Sequence, residues 1–205
     1  MKQFLIAILC FFMLTSISSS RMTTMIVGGG APAAGGSSCP GDATELVGHS
    51  DIDTDLQPVG YESAEIYIGQ GNFDPGDVDI TICSVDVYMH ITNGSGNTIH
   101  VEIFEMSGTA LGSSPSGDCV SDSIVMTTAN DDQVLSFGGM SCLLDNTKLY
   151  GITVARTDHS YDATNFSRVY VGDVGTWSGQ YQKWNVSKVS DGTRNLDMAM
   201  DLNGF

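Results

Sequence analysis

Three groups of residues have types and spacing suited to chemistry. The first is Asp51, Asp53, Asp55 and Glu62. Their acidic spacing imitates positions 1, 3, 5 and 12 of a calcium-binding EF-hand loop, where carboxylate oxygens ligate a hard cation. Two features depart from that loop. Leu56 stands at the sixth position, where the sharp turn wants glycine, and Pro58 follows. The flanks do not read as helices either. The expectation is Ca2+ held by an acidic loop that is not an EF-hand, with loop carbonyls or waters completing the shell. The plain alternative is a solvated loop.

The second group is Tyr161, Trp177 and Tyr181, interleaved with Asp, Asn, Gln and Ser. An exposed aromatic face stacks on the C–H groups of a sugar ring, and polar neighbours meet its hydroxyls. Trp177, in Asp173-Val174-Gly175-Thr176-Trp177-Ser178-Gly179, is the best loop candidate. Trp184 and Tyr170 fall on strands and read as core, where most aromatics pack.

The third group is the cysteines. Cys10 sits in a leader-like segment, which leaves Cys39, Cys83, Cys119 and Cys142. An even set in an exported chain points to disulfides, with three connectivities open. Cys119–Cys142 is favoured, because it closes a two-strand segment. Cys39–Cys83 would then tie the N-terminal segment to the sheet. There is no Cys-x-x-Cys pair, and no histidine lies three to five residues from another, so spacing does not suggest zinc.

Catalytic patterns are missing. Glycoside hydrolysis needs two facing carboxylates. Glu102 and Glu105 have opposite parity on or beside one strand, and among 24 acidic residues accidental pairs are expected. Neither Gly94-Ser95-Gly96 nor Gly139-Met140-Ser141 supplies a serine elbow. His49, His90, His100 and His159 read as surface or sheet residues, not bases. The sequence reads as a non-enzyme.

The 205 residues carry 24 acidic and 8 basic side chains, a net charge of -16. Phosphate binding needs a basic surface, so nucleic acid is disfavoured, and an anionic membrane would repel the chain. Lys2, the apolar run 4–14 and the small residues Ser16, Ser18, Ser19 and Ser20 read as a secretory signal over 1–20. That run is shorter than the ~20 apolar residues of a membrane span, and no later segment is long enough. The Gly/Ala/Ser-rich stretch 21–41 reads as a flexible linker, followed by one folded domain over 42–205. Asn93, Asn165 and Asn185 each begin an N-glycosylation acceptor pattern.

The elements that must position these residues are strands. Val85, Val87, Met89 and Ile91 alternate with polar neighbours, as do Ile99, Val101 and Ile103. The turn-forming 93–97 lies between them, so the pair is expected to form an antiparallel hairpin. A phase slip near Cys83-Ser84 predicts a bulge. In all, about nine or ten short strands at even spacing, with no amphipathic helix, predict an all-β antiparallel sandwich of jelly-roll type.

A family resemblance rests on phrases in order. Ile82 with Val85-Asp86-Val87-Tyr88 precedes a Gly-rich turn, and Val101-Glu102-Ile103-Phe104-Glu105 leads into 107–113. Leu144, the run 147–152, Trp184 and the closing Asp201-Leu202-Asn203-Gly204-Phe205 follow. Over 61–205 the chain resembles secreted jelly-roll domains of carbohydrate-binding-module type, common in bacterial and environmental exported proteins. The resemblance implies a secreted or cell-surface, non-catalytic protein that binds an extracellular polysaccharide or cell-surface glycan, or serves in adhesion. A structural surface or assembly subunit is the alternative. If calcium ties the acidic loop, melting temperature rises in millimolar calcium but not in sodium chloride of matched ionic strength, and Asp53→Ala removes the rise.

Overall fold

The computed structural model describes residues 43–48, 55–93, 96–173, 179–194 and 196–205. The expected leader and linker lie outside the described residues, as do Cys39, Asp51, Asp53 and Trp177. The first strands are β1 Thr44–Gly48, β2 Asp55–Val59, β3 Tyr67–Phe73, β4 Ile80–Asn93 and β5 Thr98–Ser107. Next come β6 Ala110–Leu111, β7 Ser116–Asp118, β8 Ile124–Val125, β9 Gln133–Phe137, β10 Ser141–Leu144 and β11 Tyr150–Arg156. The last are β12 Phe166–Asp173, β13 Gln180–Trp184, β14 Ser190–Arg194, β15 Leu196–Met198 and β16 Met200–Gly204. A single 3-10 turn, Thr128–Asn130, is the only helical element among the described residues. None of their helices is long and apolar enough to cross a membrane.

The chain is all-β, and every ladder is antiparallel. Sixteen strands form among the described residues, more than the sequence suggests, because pieces as short as β6, β7, β8 and β15 carry too few residues to show a period. One sheet has nine strands, ordered β1-β16-β4-β10-β7, with β12 and β9 also on β4, and β2 and β15 on β12. The other has seven, ordered β14-β13-β3-β11-β5-β6, with β8 also on β5.

The expected hairpin is corrected. β4 lies in the nine-stranded sheet and β5 in the seven-stranded one, and they share no ladder among the described residues. Alternation identifies a buried face but not the partner strand. Between β4 and β5 the chain passes from one sheet to the other. Val85, Val87 and Met89 of β4 and Ile99, Val101 and Ile103 of β5 accordingly meet in one apolar cluster drawn from both sheets. Burying each such side chain contributes about 1.5–3 kcal/mol. The phase slip is present. Register shifts between Asn203 and Gly204 of β16, so Cys83 is the extra residue between paired Ile82 and Ser84.

A second, smaller cluster matters more for the site. Ile66, Tyr67, Phe104, Leu111, Ala155 and Trp184 pack together on the other face of the seven-stranded sheet. One row across that face reads Trp184, Tyr67, Ala155, His100 in ladder register. Trp184 is fully buried, and its indole N–H donates to the Thr109 carbonyl at 2.8 Å. Gly151 makes room for this layer. A Cβ there would lie 2.5 Å from Leu111 Cδ2 and 3.1 Å from Met106 Sδ.

Cys119 and Cys142 are disulfide-bonded, as expected. The bond ties the end of β7, an exposed edge strand, to β10, on which β7 pairs. Cys83 is disulfide-bonded too, to a partner outside the described residues. Replacing both Cys119 and Cys142 with Ser should lower the unfolding free energy by about 3 kcal/mol, because the open chain regains loop entropy. Urea unfolding reads this directly, and an unchanged midpoint would contradict it.

Candidate functional site

β5 places His100 and Glu102 two residues apart, and in a strand that spacing puts both side chains on one face. It is the face of the smaller cluster, not the solvent face that alternation suggests. His100 is 8 % exposed and Glu102 7 %. Glu102 is fixed on both sides of its strand. Thr153 Oγ1 donates to the Glu102 carbonyl at 2.8 Å, and Val120 bridges it from the other side.

His159 arrives from the loop after β11. Its φ is 48°, the left-handed region, which histidine adopts more readily than most residues. The turn that holds it is heavily bonded. The His159 N–H donates to the Arg156 carbonyl at 3.0 Å. Asp158 accepts from Arg156 Nε and Nη2 at 3.2 and 3.1 Å, and from the Ser160 N–H and hydroxyl at 3.1 and 2.7 Å. Partial burial raises the Asp158 carboxyl, but the Ser160 and Arg156 bonds outweigh it and hold it at about 2. Gly60, with φ 65°, lies so close to Arg156 that a Cβ would come within 2.6 Å of Arg156 Cδ. The Asp162 N–H donates to the Gly60 carbonyl at 2.8 Å. The turn 60–65 and the loop 157–162 are therefore bound to each other.

The result is a buried constellation of His100, Glu102 and His159. With its proton on Nε2, His159 donates to Glu102 Oε1 at 2.5 Å. His100 Nε2 stands 2.6 Å from the same oxygen, yet out of hydrogen-bonding alignment, and no other partner meets it. Burial raises the Glu102 carboxyl, but the two imidazoles outweigh burial and hold it below the ordinary carboxylate range. The Tyr67 ring packs on His159 with centroids 5.1 Å apart. Burial first, then the Glu102 charge, push its phenol up to about 12, so it stays a neutral donor.

Beside this constellation is an open pocket of about 250 Å³, lined by Ser63, Ile66, His159, Ser160, Tyr161 and Val186. Tyr161, one of the three aromatics singled out in the sequence, is 59 % exposed on its wall. Tyr181 is corrected. It is fully buried and belongs to the cluster shared by both sheets, so its ring offers no face to a ligand. Parity decides this: on β13, Tyr181 and Trp184 face opposite sides. Trp177 lies outside the described residues.

Of the acidic group, only Asp55 and Glu62 are described. Asp55 lies on β2, accepts from Gln57 Nε2 at 3.1 Å and stands 4.0 Å from Arg194 Nη1. Glu62 is exposed in the turn 60–65. Asp51 and Asp53 lie outside the described residues, so most of the calcium set does too. A second group, His90 with Asp131 and Asp132, has His90 Nδ1 at 3.0 and 2.8 Å from the two carboxylates. The Tyr170 hydroxyl donates to Asp132 at 2.5 Å. Both carboxylates are well exposed, and the group reads as a solvated ion cluster.

Sequence reasoning missed His100, Glu102 and His159 as a set. Half of the signal was present, since His-x-Glu on a strand puts both groups on one side. The third member is 57 residues from Glu102, beyond any local motif. No family model matches the chain, and no curated protein or solved structure matches it.

A carboxyl held below its ordinary range stabilises the fold above the unfolded glutamate value, and that contribution is lost as pH falls through the lowered folded value. Glu102→Gln should therefore cost about 3 kcal/mol near pH 7, since it removes the carboxylate that both imidazole nitrogens face. The gap between wild type and variant should close as pH falls through the lowered folded value, once glutamate is protonated in both states. Urea unfolding across this range checks the sign, and a gap that widens in acid would refute it.

Proposed function

We propose that the protein is an exported, non-catalytic jelly-roll β-sandwich that binds an extracellular polysaccharide or cell-surface glycan at the pocket beside Tyr161. The observation that carries this reading is the exposed Tyr161 ring on the wall of that pocket. A half-wet aromatic beside Ile66 and Val186 gives an apolar bed for the C–H face of a sugar ring. Ser63, Ser160 and the His159 ring supply polar edges. At about 250 Å³ the pocket falls below the ~300–1,000 Å³ of sites that enclose a whole small molecule. It suits one unit of a longer chain, the rest of which runs across the surface.

The disulfides and the absence of a membrane-crossing helix among the described residues are consistent with an extracellular setting. Strong negative charge favours neutral glycans over sulfated or carboxylated ones, because like charges repel. Arrayed plant, algal and microbial polysaccharides probed with the protein test the reading. Binding to a neutral glycan that Tyr161→Ala weakens about tenfold, ~1.4 kcal/mol, is the expected result. Silence across the array overturns the glycan reading and favours a structural surface subunit.

A further inference from the structure

We propose that His100, Glu102 and His159 form a binding site for a divalent transition-metal ion, with zinc as the leading candidate. Three observations converge. First, the three ligand atoms, His100 Nε2, Glu102 Oε1 and His159 Nε2, all lie within 4.8 Å of one another. Second, His100 is 8 % exposed, and its Nε2 is directed into that centre, where it meets Glu102 Oε1 only outside hydrogen-bonding alignment. A buried polar nitrogen left unmatched costs free energy, which a ligand at this point recovers. Third, both imidazoles aim at a single carboxylate oxygen, at 2.6 and 2.5 Å, closer than the ~2.7–2.9 Å of ordinary charged N–H···O pairs. Without an ion, both nitrogens must share that one oxygen. With a divalent cation, the nitrogen lone pairs and the carboxylate all point at positive charge.

The donor set decides the class of ion. Calcium and magnesium take all-oxygen shells, so two imidazoles argue against both. Two histidines and one glutamate match a three-ligand zinc set with its fourth position left for water or a ligand. At metal–ligand lengths of about 2.0–2.2 Å, tetrahedral ligand atoms stand about 3.4 Å apart, so each nitrogen must draw back from Oε1 by just under an ångström. His159 can supply much of this movement, since its side chain is 35 % exposed and sits at the end of a turn. His100 and Glu102 keep their backbones on β5 and separate by side-chain rotation. His159 also lines the pocket, which places the ion close to the pocket floor. The negative field of a chain with net charge -16 attracts cations to the mouth. The site stands on its own geometry and does not depend on the glycan reading.

The test uses the purified protein after dialysis against a chelator. Calorimetric titration with zinc should show one ion per chain and a melting temperature that rises with zinc. Cobalt in its place should give the intense visible bands of a four-coordinate, nitrogen-ligated ion. His159→Asn keeps a residue that tolerates the left-handed backbone and removes the imidazole. It should weaken zinc binding at least about a hundredfold, the upper end of the loss for a group that merely supports a ligand. His90→Ala, in the exposed His90–Asp131–Asp132 group, should leave zinc affinity unchanged. Should His159→Asn unfold, Glu102→Gln replaces it with the same expectation. Three results would overturn the proposal: no stoichiometric zinc, His159→Asn binding like wild type, or loss of binding in His90→Ala.

Discussion

The centre of the seven-stranded sheet, strands β3, β11 and β5, is buried on both faces, and the rest of the site follows from that. In β11 every residue from Tyr150 to Ala155 is buried. A strand buried on one face only would alternate, whereas one covered on both sides reads as a continuous run. The nine-stranded sheet covers one face through the large shared cluster. The other face carries Tyr67, Phe104 and Trp184 of the sheet itself, and Ile66 and Leu111 pack over them before the loops complete the cover. Those loops bring Ser63, His159, Ser160, Tyr161 and Val186 to one place. The pocket is thus a product of the covering layer, and its position is set by where the layer ends at His100 and Glu102.

Covering a sheet with loops buries polar groups, which need partners. The chain has few cations to supply them, with 8 basic against 24 acidic residues. Lys183 reaches the buried Glu65 at 2.8 Å, and Gln70 donates to the buried Asp197 at 2.9 Å. Glu102 receives two histidines instead. Its two imidazoles compete for one oxygen.

Much of the strand pattern was legible, because period-two alternation depends only on one face being buried. The bulge at Cys83 was legible for the same reason, since two apolar parities cannot meet without an extra residue. Partner choice was not. β4 and β5 alternate alike and are joined by turn-formers, yet they enter different sheets, because each apolar face is better served by the other's face than by a shared edge. The same limit hid the constellation. Alternation assigned His100 and Glu102 to solvent, and only the return of the loop after β11 shows otherwise. Tyr181 and Tyr161 were indistinguishable by composition. Strand parity buries the first, and a turn exposes the second.

His159 links the two halves of this region. Its Nε2 faces Glu102, while its ring forms part of the pocket wall. Its backbone is held in the left-handed region by the Arg156–Ser160 turn, so the ring moves by side-chain rotation. A cation that draws Nε2 away from Glu102 must shift the ring, and the ring cannot shift without reshaping the wall beside Tyr161. A ligand resting on that wall likewise favours one ring position. Coupling of this kind is reciprocal, so whatever factor one occupant applies to the affinity of the other is returned in full. The strength of the coupling is set by how differently the two ring positions suit each occupant, and a well-braced turn makes the two positions few and distinct.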